Sequence, residues 1–385
     1  MTKVAVAMSG GVDSSVAAAL AVEKYGKENV FGVTMKLFCY AAGPERESKG
    51  DFTDKSCCSL DAINDAATVC KQLGIPHYVV NLEKEFEAEI IDDFVLEYEQ
   101  GRTPNPCVRC NSLIKFRHLL EKTQGLGADL LVTGHYARIT HENGIFHLRK
   151  GLDVTKDQSY FLYKLNQNQL AHIWFPLGEL TKSETRKLAE KYGLKTAQKT
   201  ESQDICFVTT TTQEFLSGRV KAKFGNIIDK DGKVLGKHDG LPYYTIGQRK
   251  GLGGGFDEPM YVIGLDLAQN ELIVGREEEL YDDEMKVGEV TWTGVVPKLP
   301  AKLDVQIRYN SEPSTATLSS SASQIKSDKL TGDLPLPGQD SRLRGNDIRV
   351  KFAKPVRAIT PGQTAVFYLG DEVVGGGIIL STSNH

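Results

Sequence analysis

A short apolar run, "KVAVAM", passes directly into "SGGVDSS", Ser9–Ser15, and then into the Ala-rich "VAAALAVEKYG". A continuous apolar run rich in β-branched residues marks a strand buried on both faces. Beyond the loop, Val16, Leu20 and Val22 fall at helical spacing, and Gly26 stands where a helix would stop. A buried strand that turns tightly into a helix commits the chain to a parallel sheet covered by helices, with ligands expected at the carboxyl ends of the strands.

The loop residues narrow the ligand. Gly10 and Gly11 reach backbone angles closed to other residues and let the main chain approach a bound group. Asp13, Ser14 and Ser15 lie at the helix start, where free amides and the helix dipole favour an anion. A phosphate group is the natural guest. The Walker spacing G-x-x-x-x-G-K-[ST] is absent, and no lysine follows the glycines. An ordinary strand-to-helix turn with Ser or Asp as cap uses the same residue types. The whole heptapeptide, however, resembles the pyrophosphate loop, SGG-x-DS, of the ATP pyrophosphatases, which cleave ATP between its α and β phosphates. That resemblance implies ATP held by Met8, Ser9, Gly10, Gly11, Val12, Asp13, Ser14 and Ser15, with Asp13 helping to hold Mg2+.

Strand and helix patterns alternate over roughly the first 200 residues, through "VFGVTMKLF", "LDAINDAATVCKQLG", "HYVVNL", a long acidic helix from Glu83 to Gln100, and "ADLLVTGHY". In the acidic helix, Phe86, Ile90, Phe94 and Leu96 are expected to turn inward and the carboxylates to face solvent. From about Lys221 short strands separated by Gly, Asp and Lys turns predict a small β-rich domain. The last hundred or so residues read as an antiparallel barrel or sandwich. The expected domains are 1–209 for the parallel-sheet catalytic unit, 210–283 for the small β domain and 284–385 for a β-barrel. A Ser-, Gly-, Pro- and Asp-rich insertion at about 319–347 is too polar to join the barrel core.

No apolar run approaches the ~20 residues of a membrane span, and the N-terminus runs straight into the first strand, so a cytoplasmic protein without a membrane partner is expected. The net charge of -4 offers no general basic field, so any RNA must be met by local patches. Seven cysteines, an odd number, argue against a disulfide framework in a reducing compartment and leave thiol chemistry or a metal open.

Cys107 and Cys110 form a C-x-x-C in the Pro-rich "GRTPNPCVRCNSLIKF", which leads into a helix carrying Lys115 and Arg117. A thiol near a helix N-terminus and cations has a lowered pKa, which makes Cys110 a candidate thiolate. The pair could equally be half of a metal site, but no second matching pair is present. Cys206 lies in "TESQDICFV". Cys57 and Cys58 belong to an expected helix start, and Cys39 and Cys70 read as structural.

Taken in order, the pyrophosphate loop, "GRTPN", "C-N-x-x-I-K-F", "TGHYAR", "KDQSYFLY" and "ESQDICF" resemble the tRNA 2-thiouridylase family over nearly the whole chain. The resemblance implies ATP-dependent conversion of the wobble uridine, position 34, to 2-thiouridine, with release of AMP and pyrophosphate. It casts Cys110 as the nucleophile and Cys206 as the persulfide carrier, and it leaves a Cys110–Cys206 disulfide after turnover. Met35 and Gly134 would line the nucleotide site. Asn105, Pro106 and Cys107 would meet the target base, while His135, Lys156, Asp157, Gln158, Arg308, Tyr309 and Gln363 would contact tRNA. A cysteine desulfurase or sulfur-relay protein would supply sulfur. The family commonly reads Asn-Pro-Asp where this chain has Asn105-Pro106-Cys107, which places a second thiol three residues before Cys110.

Two other functions share parts of this pattern. An amidating synthetase such as GMP synthetase adenylates a carbonyl with the same loop, but it needs an ammonia source and no reactive thiol pair. A non-catalytic RNA-binding module would tolerate decay of the loop, yet Ser9, Gly10, Gly11, Asp13 and Ser14 are all present.

Overall fold

A computed structural model of the chain describes residues 1–37, 60–199, 205–208, 210–253, 256, 258–320 and 347–383. Cys39, Cys57, Cys58, the first four residues of "ESQDICF" and most of the polar insertion lie outside the described residues. The chain divides into two compact units, Met1–Asp93 with Pro106–Thr211, and Phe94–Asn105 with Thr212–His385.

The first unit is built on β1 (Val4–Ala7), β2 (Val30–Lys36), β3 (His77–Asn81) and β4 (Leu130–Val132). A hairpin, β5 (Ala137–Glu142) and β6 (Ile145–Lys150), and the short β7 (Ile173–Trp174) follow. Five of these strands form a sheet in the order β3-β2-β1-β4-β7, with every neighbouring pair parallel. The order reverses between β1 and β4, and such a switch point opens a crevice beyond the strand ends. Val4 and Val6 of β1 are fully buried, as their apolar run requires, and pack with Val16, Ala17 and Ala21 of α1 (Val12–Tyr25). Gly26 terminates α1 with φ 81° and returns its amide to Val22. Helix α2 (Leu60–Leu73) buries Ala66, Val69 and Cys70 in the same core. Burial pushes the Cys70 thiol up to about 12, so it stays protonated and inert.

The acidic helix forms as α3 (Glu83–Phe86), a π-helical stretch (Glu87–Ile91) and α4 (Asp92–Glu99). Phe86, Ile90 and Phe94 turn inward as expected, but Leu96 is 47% exposed. The inward row instead continues four residues on, at Tyr98; Leu96, two residues past Phe94, is rotated about 200° away from it. Glu97 is also buried, against the expectation of a solvated acidic face, and it is held in place by a bidentate pair with Arg102 at 2.7 and 3.0 Å. Downstream, α5 (Pro106–Arg109) runs into a second π-helical stretch (Cys110–Leu119) and α6 (Leu120–Gly125). Among the described residues, α7 (Gln167–Leu170) and the longer α8 (Lys182–Lys191) follow in the first unit, each opened by a capping box.

The second unit begins its main run with α9 (Thr212–Leu216), followed by a small sheet of β8 (Gly225–Ile228), β9 (Val234–His238), β10 (Tyr261–Asp266) and β11 (Glu271–Gly275). Six antiparallel strands then close a barrel: β12 (Tyr281–Trp292), β13 (Ala301–Gln306), β14 (Ser314–Ser320), β15 (Ile348–Arg357), β16 (Thr364–Leu369) and β17 (Glu372–Thr382). Pairing runs β12-β15-β14-β13-β16-β17 and returns from β17 to β12. Closure removes the open edges that a six-stranded sheet would otherwise expose. Its interior holds alternate residues such as Leu303, Val305, Val350, Phe352 and Phe367.

Candidate active site

The loop between β1 and α1 stands at the switch point. Gly10 takes φ 70°, and a Cβ there would lie 2.4 Å from the Ala62 carbonyl oxygen, so only glycine fits. The turn is stitched by its serines: Ser14 Oγ accepts from the Ser9 amide at 3.2 Å, and both the Ser14 and Ser15 hydroxyls donate to the Gly11 carbonyl at 3.1 and 2.8 Å. Gly134, just beyond β4, closes the other wall. A Cβ on it would sit 2.8 Å from Asp13 C and 2.9 Å from Ser14 N, so this expected nucleotide-lining residue lies against the helix start. Met8 joins the neighbouring strand by its amide to Val33, and its carbonyl accepts from Thr34, the residue before Met35.

Asp13 has two partners brought to it by the fold. The Lys182 ammonium reaches its two carboxylate oxygens at 2.7 and 2.8 Å, and the Tyr136 hydroxyl donates to Oδ1 at 2.9 Å. The same hydroxyl lies 3.0 Å from Thr185 Oγ1, so α8 is tied to the loop at two places. A second lysine, Lys199, donates to the Gly10 carbonyl at 3.1 Å and pairs with Asp65 at 2.7 Å. None of Tyr136, Lys182 and Lys199 was singled out by sequence pattern. For Lys182 a signal existed: it occupies the first position of α8, behind the Thr181 cap, where a cation opposes the helix dipole unless an anion compensates it.

His135 is buried between Phe116 and Phe175. Its Nδ1 bonds the Thr133 hydroxyl, and Nε2 lies 3.1 Å from Asn111 Oδ1, which fits a neutral ring protonated at Nε2. Burial, reinforced by the Lys115 charge, holds its pKa well below 6.5. Asp157 also works inside the protein: it accepts from the Gly151 and Ser159 amides and the Ser159 hydroxyl, and burial raises its pKa. Gln158 pairs both ways with the backbone of Tyr136, accepting at 3.0 Å on its side chain and donating from its amide at 2.9 Å. Lys156 closes a turn onto Asp153, whose carboxylate accepts the Lys182 amide at 2.9 Å. The 151–159 loop is thus linked to Asp13 through both Tyr136 and Lys182.

The candidate thiols share a scaffold. Pro106 opens α5, which puts Cys107 in its first turn, and Cys110 begins the π-helical stretch. Arg109 between them pairs with Asp93 at 2.9 Å and donates to the Glu89 carbonyl at 3.3 Å, fixing α5 to the acidic helix. Cys206 lies in a turn closed by Val208 N to Ile205 O, and its neighbour Phe207 is buried edge-on against Phe86 of the same acidic helix at 5.8 Å. Cys107, Cys110 and Cys206 are each partly exposed. Among the described residues no cluster of His, Cys, Asp and Glu could hold a metal ion.

In the second unit, Gln363 donates to the carbonyls of Thr103 and Pro104 at 2.8 and 3.2 Å and so holds the segment that leads into Asn105. Arg308 reaches Ala358 O and Thr360 Oγ1 at 2.6 and 2.7 Å, and the Tyr309 carbonyl accepts from Gln306 at 2.8 Å.

Comparison with known proteins matches three stretches of the chain. Residues 2–210 match the tRNA methyl transferase HUP domain, 213–276 the tRNA methyl transferase PRC-barrel domain, and 337–379 the aminomethyltransferase beta-barrel domain. The chain is 47% identical over 383 residues to the tRNA-specific 2-thiouridylase MnmA of Geobacter metallireducens, covering 98% of this chain and 96% of that one. A relative of the same name from Geotalea uraniireducens is 47% identical over 381 residues, covering 98% and 94%. That of Carboxydothermus hydrogenoformans is 45% identical over 384 residues, covering 98% and 97%. Among the described residues no helix is long and apolar enough to cross a membrane.

Proposed function

The chain belongs to the tRNA-specific 2-thiouridylase family, and from that premise we propose that it thiolates C2 of the wobble uridine of tRNA at the expense of ATP, in the cytoplasm. The observation that carries the reading is the presence, in one folded unit, of an anion loop at the sheet's switch point and of two partly exposed thiols braced on one helix. An amidating synthetase has use for the loop alone.

The uridine C2 oxygen is a poor leaving group. Its attack on the α-phosphorus forms an O–P bond and breaks the bond to the β-phosphate bridge, and pyrophosphate departs with the electron pair. The α1 amides and the loop around Gly10 and Gly11 receive that anion. Asp13 suits Mg2+, since both carboxylate oxygens already face a cation, Lys182, and Mg2+ commonly takes one or two carboxylates together with substrate phosphates. The ion would supply neutralisation of phosphate charge. The terminal sulfur of a Cys206 persulfide then bonds C2, AMP leaves with the former carbonyl oxygen, and Cys110 attacks the Cys206 Sγ, breaking its bond to the transferred sulfur, which stays on C2 while a Cys110–Cys206 disulfide closes. The thiol pair thereby provides the two electrons that reduce the transferred sulfur, and an external reductant reopens the bond. A desulfurase or relay protein reloads Cys206. Asn105, Pro106 and Cys107 address the base, and Lys156, Arg308, Tyr309 and Gln363 the rest of the tRNA. His135, Asp157 and Gln158, whose side chains are bonded within the first unit, shape that surface.

Purified protein supplied with tRNA, ATP, Mg2+ and a persulfide donor should yield 2-thiouridine, AMP and pyrophosphate in equal amounts, read by mass spectrometry of digested tRNA. Pyrophosphate release driven by ammonia without tRNA would identify a synthetase, and no release at all a binding module.

A further inference from the structure

We propose that Lys182 is a catalytic residue of the adenylation step: the cation that neutralises the departing pyrophosphate, held on Asp13 until the nucleotide arrives. The proposal rests on the nucleotide reading of the loop. Lys182 sits at the first position of α8, the worst place on a helix for a positive charge unless an anion faces it. Its side chain is only 12% exposed, so the ammonium is largely withdrawn from water, and it bonds both carboxylate oxygens of one loop residue. That residue, Asp13, lies in the first turn of α1, where the free amides also await an anion. A carboxylate and a phosphate thus compete for the same cation within one loop.

The consequence is an exchange of partners. Asp13 would hold a divalent cation together with the phosphates, which would leave the Lys182 ammonium to face the phosphates. The bond cleaved is that between the α-phosphorus and the β-phosphate bridge, and the charge that accumulates on the leaving pyrophosphate meets Lys182, with no proton transferred. Lys199, the other lysine at the loop, is spent on Asp65 and the Gly10 carbonyl. Tyr136 is neutral. Of these two lysines, Lys182 is the one whose carboxylate partner is itself a loop residue.

The test measures binding of inorganic pyrophosphate to the purified full chain by calorimetry without divalent metal, for wild type, Lys182→Met, Lys182→Arg and Asp13→Asn. Lys182→Met should weaken pyrophosphate binding about tenfold or more, the loss expected for one charge-assisted contact, while AMP affinity is kept and Lys182→Arg restores part of the loss. Asp13→Asn should tighten pyrophosphate binding, because it frees the ammonium and removes a negative charge. If Lys182 merely braces the loop through Asp13, both Met and Asn variants will lose pyrophosphate together, and the proposal falls. Equal binding by wild type and Lys182→Met also overturns it and leaves the nucleotide reading standing. A wild-type protein that binds neither pyrophosphate nor ATP overturns both.

Discussion

His135 Nε2 stands 3.1 Å from the side-chain oxygen of Asn111, the residue that follows Cys110, so a buried ring at the end of β4 fastens the helix that carries the candidate nucleophile. The bond pattern fits the neutral ring, and burial favours that form. The folded pKa lies below the unfolded value near 6.5, so below that pH the unfolded chain binds a proton that the folded chain refuses. Its stabilising share is fully present above about pH 6.5 and declines on acidification, by at most about 1.4 kcal/mol per pH unit. His77 and His238 are shifted the same way by burial. Thermal midpoints should fall between pH 7 and 5.5, and His135→Gln should flatten that slope. Identical slopes for variant and wild type would show that His135 does not set the acid limit.

Gly134→Ala should cripple ATP use without abolishing the fold. The added methyl meets backbone atoms of Asp13 and Ser14 inside 3 Å, so the loop must shift. A cost of about 1–3 kcal/mol in unfolding free energy is expected, with a much larger fractional loss of tRNA-dependent pyrophosphate release. Unimpaired release would place the nucleotide elsewhere.

The three thiols separate by where the reaction stops. Cys206→Ser should still release pyrophosphate on addition of tRNA and ATP yet form no 2-thiouridine. Cys110→Ser should also block thiolation while a persulfide remains detectable on Cys206 by mass spectrometry. Cys107→Ser should be milder, since serine retains a hydrogen-bonding group beside the base. Peptide mapping after mild oxidation should give a Cys110–Cys206 link. A dominant Cys107–Cys206 link, with an active Cys110→Ser enzyme, would hand the nucleophile role to Cys107.

Ser320 of β14 pairs directly with Ile348 of β15, so the chain leaves and re-enters the barrel on one rung of the ladder. Replacing residues 321–345 by a short Gly/Ser turn should leave barrel stability and thiolation largely intact, because a long loop costs closure entropy and this one has little apolar content to return. Failure to fold would assign the insertion to the core, and loss of tRNA affinity alone would assign it to the RNA surface. Asp347 is kept in this variant because its carboxylate pairs with Lys286 at 3.0 Å.

The loop, the strand before it, the helix after it and the β-rich C-terminal half were legible because each is written in a local pattern. Apolar runs, helical spacing and glycines at turns act over a few residues and leave their mark in order along the chain. The acidic helix shows the limit: its existence was local, but Leu96 faces outward and Glu97 inward because packing, and a bidentate Arg102, settle which side of the helix is covered. Lys182 marks it more sharply. No lysine follows the glycines along the chain, and the fold delivers one from 169 residues downstream by setting the start of α8 beside the start of α1. Coulombic attraction depends on distance in space and not along the chain, so the charge that answers Asp13 could be identified only once the chain was folded.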